Sequence, residues 1–286
     1  MNTELLQAVI GDALEFKCEH NVKTWIFDPP YNIGYVGYET ITDSLSFEEY
    51  EEQMEACARK MAESTPDGSL FMINYPEQTA RLLPALERAG WTFHQWISWV
   101  YPSNIGITEA RFTTATRAVL WLVRGDAEFF VDRIKEDYKN ADCKRILKRI
   151  GNGSSGRNSY DWWEINMRKN VSVGFREWAN QLPVELVRRC IVASTNEGDV
   201  VGDLMAGSGT VYEVARSIGR LAVMNDIAPG AMEHWKSIMK TEPLSLEREA
   251  TPIQDRAWGR IFDDLPMKTE NEGYFRHERG KLKDGS

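Results

Sequence analysis

Cysteine is scarce in this chain, and the four present stand far apart. Cys18, Cys57, Cys143 and Cys190 form no CxxC pair. That excludes a disulfide framework or a thiolate zinc site and points to free thiols in a reducing compartment. Four scattered histidines give no metal-ligand spacing, so no metal is expected. No apolar run approaches the roughly 18 residues that a membrane helix needs. The opening Met1-Asn2-Thr3-Glu4 lacks the basic-then-apolar layout of a secretory signal. A basic surplus is also missing: 34 Lys and Arg stand against 43 Asp and Glu, a net charge of −9. Such a balance argues against coating nucleic acid without preference, and still allows one local basic face. No internal repeat is present. These absences lead to the expectation of a cytoplasmic protein with no membrane partner.

What remains is a chain of 286 residues, 42% of them hydrophobic. That is enough for one large α/β domain, or for one domain with an insert. Ten tryptophans is a heavy load; most should be core, and some can stack on bases. The chain is organised around Asp28-Pro29-Pro30-Tyr31, which follows the apolar β-type run Thr24-Trp25-Ile26-Phe27. An acid at the end of a buried strand lies at the carboxyl edge, where open α/β sheets keep their chemistry. Two prolines stiffen the chain and remove two donors, leaving their carbonyls to accept. With the ring that follows, the stretch suits a flat, amine-bearing ring.

In chain order, a short strand over 5–10 ends at Gly11-Asp12. Residues 34–45, with glycines, tyrosines and Thr40, Thr42, Asp43 and Ser44, read as a loop over a site edge. Ser46 and Glu49 make a capping box for a helix to Glu63 whose apolar spacing buries Phe47, Tyr50, Met54, Cys57, Ala58 and Met61. A strand over 70–73, a helix over 77–89 closed by Gly90, and strands over 91–100 and 117–123 follow. After residue 125 the character changes. Arg133, Lys135, Lys139, Lys144, Arg145, Lys148 and Arg149 make the one markedly basic stretch. It leads into a Gly-, Asn- and Ser-rich segment, then Trp162-Trp163 and Arg168-Lys169. The bland reading is a solvated helix face; the basic, flexible and aromatic mix points to nucleic-acid contact.

Further on, Gln181-Leu182-Pro183 opens a helix through Ala193. Strand 200–203 runs into Leu204-Met205-Ala206-Gly207-Ser208-Gly209-Thr210, then a helix over 211–218 and a strand over 221–225 with Asp226 at its end. Strand, glycine turn, helix, strand and acid together bind a nucleoside-bearing cofactor. Tyr212 stands where GxGxxG needs its third glycine, so a pyrophosphate, and with it a dinucleotide-dependent dehydrogenase, is not implied.

The two motifs together resemble those of the amino-methyltransferases of DNA. Asp28 to Tyr31 is similar to their catalytic motif, and Asp203 to Thr210 to their S-adenosylmethionine loop, with Leu204-Met205 in place of Pro-Phe. The order, catalytic motif first and glycine loop last, resembles the beta group of site-specific enzymes over about residues 5–230. The resemblance implies a Rossmann-like α/β methyltransferase fold, permuted: a mostly parallel sheet, helices on both faces, and an inserted target-recognition region. It divides the chain into a catalytic half (1–124), the insert (125–170), a cofactor-binding half (171–240) and a polar tail (241–286), in which Trp258, Ile261 and Phe262 form a patch able to dock on the body.

By the same resemblance, Asp28, Pro29, Pro30 and Tyr31 are catalytic, and S-adenosylmethionine is held by Asp12, Ala13, Gln181, Pro183, Asp203, Leu204, Ala206, Gly207, Ser208, Gly209, Thr210 and Asp226. Leu182 replaces a lysine of the family, and Trp99-Val100-Tyr101 stands where a Trp-x-Lys is usual. Double-stranded DNA would be held by Ser103, Asn104, Lys139, Lys144, Arg145, Lys148, Arg149, Arg157, Arg168 and Lys169. Because the motif opens with Asp, where cytosine-N4 enzymes commonly have Ser, the implied reaction is methylation of the N6 of a flipped adenine. Cytosine-N4 methylation, a silent DNA-binding module on the same fold, and an RNA or small-molecule methyltransferase are the alternatives. A homodimer and a separate restriction endonuclease are compatible partners.

Overall fold

The structure is a computed structural model; it describes residues 4–37, 40–102, 109–110, 112–168, 178 and 180–246. The tail from 247 onward, with its aromatic patch, lies outside the described residues. Fully apolar runs become central strands, and amphipathic runs become helices on either face. The elements in order are β1 (Leu5–Ile10), β2 (Thr24–Phe27), α1 (Phe47–Glu63), β3 (Gly68–Asn74), α2 (Pro76–Arg88), β4 (Thr92–Val100) and β5 (Thr116–Arg124). After a short 3-10 turn (Val131–Ile134) come α3 (Lys144–Gly151), β6 (Trp162–Glu164), α4 (Val184–Ser194), β7 (Val200–Asp203), α5 (Thr210–Ser217), β8 (Leu221–Asp226) and α6 (Ala231–Met239).

The eight strands form one sheet in the order β1-β8-β7-β2-β3-β5-β4-β6. Only β5 runs against its neighbours. The late strands β7 and β8 therefore slot between the early strands β1 and β2. β2 lies directly against β7, with Thr24 opposite Val201 and Trp25 opposite Gly202. Asp28 and Asp203 thus leave adjacent parallel strands at one carboxyl edge, the place where such sheets bind ligands.

Alternation along β2 feeds two cores. Ile26 faces a layer built with α4, α5 and α6, while Trp25 and Phe27 face a layer built with α1 and α2. The capping box forms: Ser46 and Glu49 exchange bonds at the start of α1, and Tyr50, Met54, Cys57, Ala58 and Met61 are buried.

Two elements were not anticipated, β6 and α6. β6 adds to the sheet edge with Trp162 opposite Ser98. Of the tryptophan pair counted toward nucleic-acid contact, Trp163 is buried in the core, and Trp162 stacks on Tyr160. The segment after 125 is sewn to the body by this strand, by the Trp99 indole donating to the Ile165 carbonyl at 2.6 Å, and by Arg189 pairing with Glu136 at 3.1 Å. Among the described residues no helix is long and apolar enough to cross a membrane.

Candidate active site

A cleft of about 780 Å³ opens at the carboxyl edge where β2 meets β7 and β8. Asp28 and Pro30 stand on one wall. Asp12, Ala13, Asp203, Leu204, Ala206, Gly207, Ser208, Thr210 and Asp226 stand on the others. The catalytic-motif and glycine-turn candidates therefore share one cavity. Pro29, Tyr31, Gly209, Gln181 and Pro183 adjoin lining residues in the chain without lining the cleft themselves, and Leu182 reaches it between the last two. Gln181 acts at one remove, its amide donating to the carbonyl of Trp178, which is itself on the wall. Ser103, Asn104 and Lys169 lie outside the described residues.

The turn after β2 is held from three sides. Tyr31 donates its hydroxyl to Asp28 Oδ1 at 2.5 Å. The Tyr50 hydroxyl donates to the Pro30 carbonyl at 2.7 Å and accepts from the Asn74 amide at 2.8 Å. Of the two proline carbonyls left to accept, that of Pro30 takes the Tyr50 hydroxyl, and that of Pro29 meets no donor among the described residues. Beyond the turn, the buried Asp43 accepts from the backbone N–H groups of Asn32, Ile33 and Tyr35 at 2.7, 3.1 and 2.9 Å, folding the loop on itself. Asn32 takes a φ of +54°, which asparagine tolerates better than most residues.

The glycine turn is built as tightly. Gly209 has φ +70°, and a Cβ there would lie 2.8 Å from the Trp235 ring, so only glycine fits. Gly207 donates its N–H to Asp226 Oδ2 at 2.7 Å, and Ala228 donates to the other oxygen at 2.8 Å. Asn225 spans the ends of three strands, its amide donating to the carbonyls of Gly11 and Leu204 at 3.1 Å each.

Charge on the described wall is of one sign. Asp12, Asp28, Asp43, Asp203 and Asp226 line it, and no Lys or Arg does. Burial pushes Asp28 up to about 6, against the pull of the Tyr31 hydroxyl and the Arg117 guanidinium. It also holds Asp203 well above the carboxylate range, helped by Asp226 and Asp28, and raises Asp226. Such a wall suits a cationic ligand and repels a phosphate. Cys57 faces the same cleft, but burial first and Asp12 second push its thiol up to about 12, so it is not a thiolate nucleophile at neutral pH.

Away from the cleft, α3 carries Lys144, Arg145, Lys148 and Arg149 on an entirely unburied helix, with Lys139 exposed before it. Arg157 is spent differently: it pairs with Glu136 and lies over the Tyr160 ring at 4.1 Å. Arg168, partly exposed, closes the described part of the segment. Sequence reasoning missed Tyr50, Asn225, Trp178 and Arg117. Each acts across strands far apart in sequence, and none carries a local pattern that marks it.

The raised Asp28 has a cost in stability. The unfolded carboxyl loses its proton at its ordinary 3.8, the folded one only near 6. The penalty is absent below 3.8, grows through that window, and reaches about 3 kcal/mol at most above it. Asp28→Asn keeps an acceptor for Tyr31 and removes the charge. It is expected to stabilise the fold by about 1–3 kcal/mol above pH 6 and by little near pH 4. Melting temperatures of the two chains across that range check the sign.

Comparison with known proteins places this geometry. The profile of a family described as DNA methylase (N6_N4_Mtase) matches residues 22–237. The type II methyltransferase M.HpaI of Haemophilus parainfluenzae is 29% identical over 249 residues, 85% of this chain and 76% of that protein. M.BamHI of Bacillus amyloliquefaciens is 34% identical over 233 residues, 76% of this chain; the match spans only about half, 53%, of that longer protein. Among solved structures, M1.HpyAVI in its SAM complex superposes with a TM-score of 0.58 at 17% identity, covering 82% of this chain and 99% of that one. The cytosine-N4-specific PvuII DNA methyltransferase gives 0.62 at 16%, covering 84% and 88%. These two likenesses speak to the fold. With its acid-proline turn ahead of its glycine turn in the chain, and both opening on one cleft, this protein belongs to the N6/N4 DNA methylase family.

Proposed function

We propose that this chain is an S-adenosylmethionine-dependent DNA methyltransferase that modifies the exocyclic N6 of an adenine flipped out of a specific duplex sequence. The observation that carries the reading is the adjacency of β2 and β7, which opens the Asp28 turn and the glycine turn onto one cleft. The cleft fits the cofactor. Its volume is in the range of small-ligand sites. Its described wall is acidic and carries no cation for a pyrophosphate, while S-adenosylmethionine bears an ammonium and a sulfonium. Asp12 and Ala13 would hold the adenine end, Asp226 the ribose hydroxyls, and Asp203 with the 206–210 turn the methionine end. Asp226 retains acceptor capacity beyond its bonds to Gly207 and Ala228. The bound cofactor supplies a methyl group on positively charged sulfur.

The amine of adenine is a weak nucleophile because its lone pair spreads into the ring. Charged Asp28 and the Pro29 carbonyl would accept its two hydrogens and draw the nitrogen toward tetrahedral geometry, which localises that pair. Tyr31 gives the base a ring to rest against, and the rigid turn aligns nitrogen with methyl. The amine is out of reach inside a duplex, so the nucleotide must leave the stack, at a cost of about a few kcal/mol. The exposed cations of α3, with Lys139, Arg168 and, outside the described residues, Ser103, Asn104 and Lys169, are the groups we assign to the phosphate backbone. The segment 125–170 serves as the target-recognition insert, between the catalytic half 1–124 and the cofactor half 171–240.

Transfer of labelled methyl to unmethylated DNA, followed by digestion to nucleosides, tests the reading. N6-methyladenine is expected, and Asp28→Ala should lower transfer by at least about 100-fold while cofactor binding persists. Undiminished transfer by that variant would overturn the role of Asp28; N4-methylcytosine would keep the reaction and replace the base. Changing Lys144, Arg145, Lys148 and Arg149 together to Gln is expected to weaken duplex binding for all sequences. The slope of log affinity against log salt should fall by roughly 3–4. An unchanged slope would make α3 a solvated face.

A further inference from the structure

One charged group beside the cleft has no part in the reaction just described. Arg117 lies near the start of β5, at the sheet edge that carries Asp28, and pairs with Trp99 of β4. Its guanidinium carbon lies 4.8 Å from the ring centre of Tyr31, 5.1 Å from Tyr75, and 5.5 Å from both Trp99 and Tyr101. Tyr31 and Tyr75 meet edge to face at 5.4 Å, and the cation packs against both. Its hydrogen bonding is poor. One nitrogen is 3.5 Å from the Tyr75 hydroxyl, another 4.0 Å from the Met167 sulfur, and Nε is buried with no partner. An arginine serving stability alone commonly meets a carboxylate fork to fork. This one meets ring faces, and Asp28 is the carboxylate that feels its charge.

We propose that Arg117 is a positioning residue for methyl transfer: through Tyr31 and Tyr75 it fixes the Tyr31–Asp28 pair in the geometry that receives the amine of the base. The inference rests on the methyltransferase reading above. Charged Asp28 accepts from an amine more strongly than the protonated acid does, and its surroundings divide on that charge. Burial opposes the charge; Asp203 at the end of β7 is itself raised by burial and then by Asp226 and Asp28, and Asp226 at the end of β8, Asp12 after β1 and Asp43 line the same cleft. The Tyr31 hydroxyl on its own turn and Arg117 on β5 favour it, with Tyr75 at the end of β3 between them. Tyr101, just after β4, is one of the four rings around the guanidinium.

The test is single-turnover methyl transfer to unmethylated plasmid DNA by the full chain, from about pH 5 to about pH 9. Arg117→Met and Arg117→Gln are expected to slow transfer by about 10–100-fold at neutral pH, with cofactor affinity as in the wild type. The acid limb of the profile should move up by about one pH unit, because loss of the cation leaves Asp28 protonated to higher pH. Arg117→Lys should hold the limb where the wild type has it. An unmoved limb in the neutral variants, or a lysine variant shifted as far as the methionine one, would overturn the proposal. So would failure of both neutral variants to fold, which would make the guanidinium purely structural. A wild type that methylates no DNA sinks the functional reading itself; an active wild type with unmoved limbs sinks only the role of Arg117.

Discussion

Strand β2 is held against β7 by a short parallel register, Thr24 beside Val201 and Trp25 beside Gly202, and the site depends on that pairing. The two strands are far apart in sequence, yet they end together, so Asp28 and Asp203 emerge side by side. The seam is tight. A Cβ at Gly202 would lie 2.3 Å from the Trp25 ring, and that ring in turn donates to Thr65 at 2.9 Å. A shift of one residue along the seam would turn Trp25 and Phe27 out of their core layer and carry Asp28 away from the cleft.

Around this seam the molecule concentrates unfavourable charge. Asp28, Asp203 and Asp226 are each raised by burial, and like charges face one another across the cleft. The fold tolerates them because the surrounding backbone is over-determined. Tyr50 and Asn74 secure the acid-proline turn, Asn225 ties three strand ends, and Asp43 closes the following loop with three N–H bonds. A cationic ligand would relieve the repulsion, so the mutual repulsion of these acids and the affinity for such a ligand have one origin.

Most of this architecture was legible in the chain. The strands that form the seam, the capping box of α1, the glycine turn and the acid at the end of β8 all carry short-range patterns that depend on neighbours in sequence. α6 escaped because it starts after Pro229-Gly230, which reads as a turn, and no side chain caps it. β6 escaped because it has three residues, too few for alternation to show. The site was legible where its residues sit inside a motif and obscure where they act across strands. Leu182 took the place on the wall that its neighbours Gln181 and Pro183 were given. The Pro30 carbonyl was read as an acceptor with no partner named, because nothing near it in sequence announces Tyr50. Arg117 looked like the ordinary start of a strand, since only the sheet order brings it to the rings of Tyr31 and Tyr75.

The central claim is that one cleft holds a cationic nucleoside cofactor on the Asp203–Asp226 side and presents it to Asp28. A crystal structure of the chain with S-adenosylhomocysteine and a target duplex tests it most directly. The account expects the ribose at Asp226, the amino acid portion between Asp203 and the 206–210 turn, the sulfur directed at Asp28, and an extruded base with its amine on Asp28 and the Pro29 carbonyl. A cofactor bound elsewhere, or an extruded base with its amine turned away from Asp28, would contradict it.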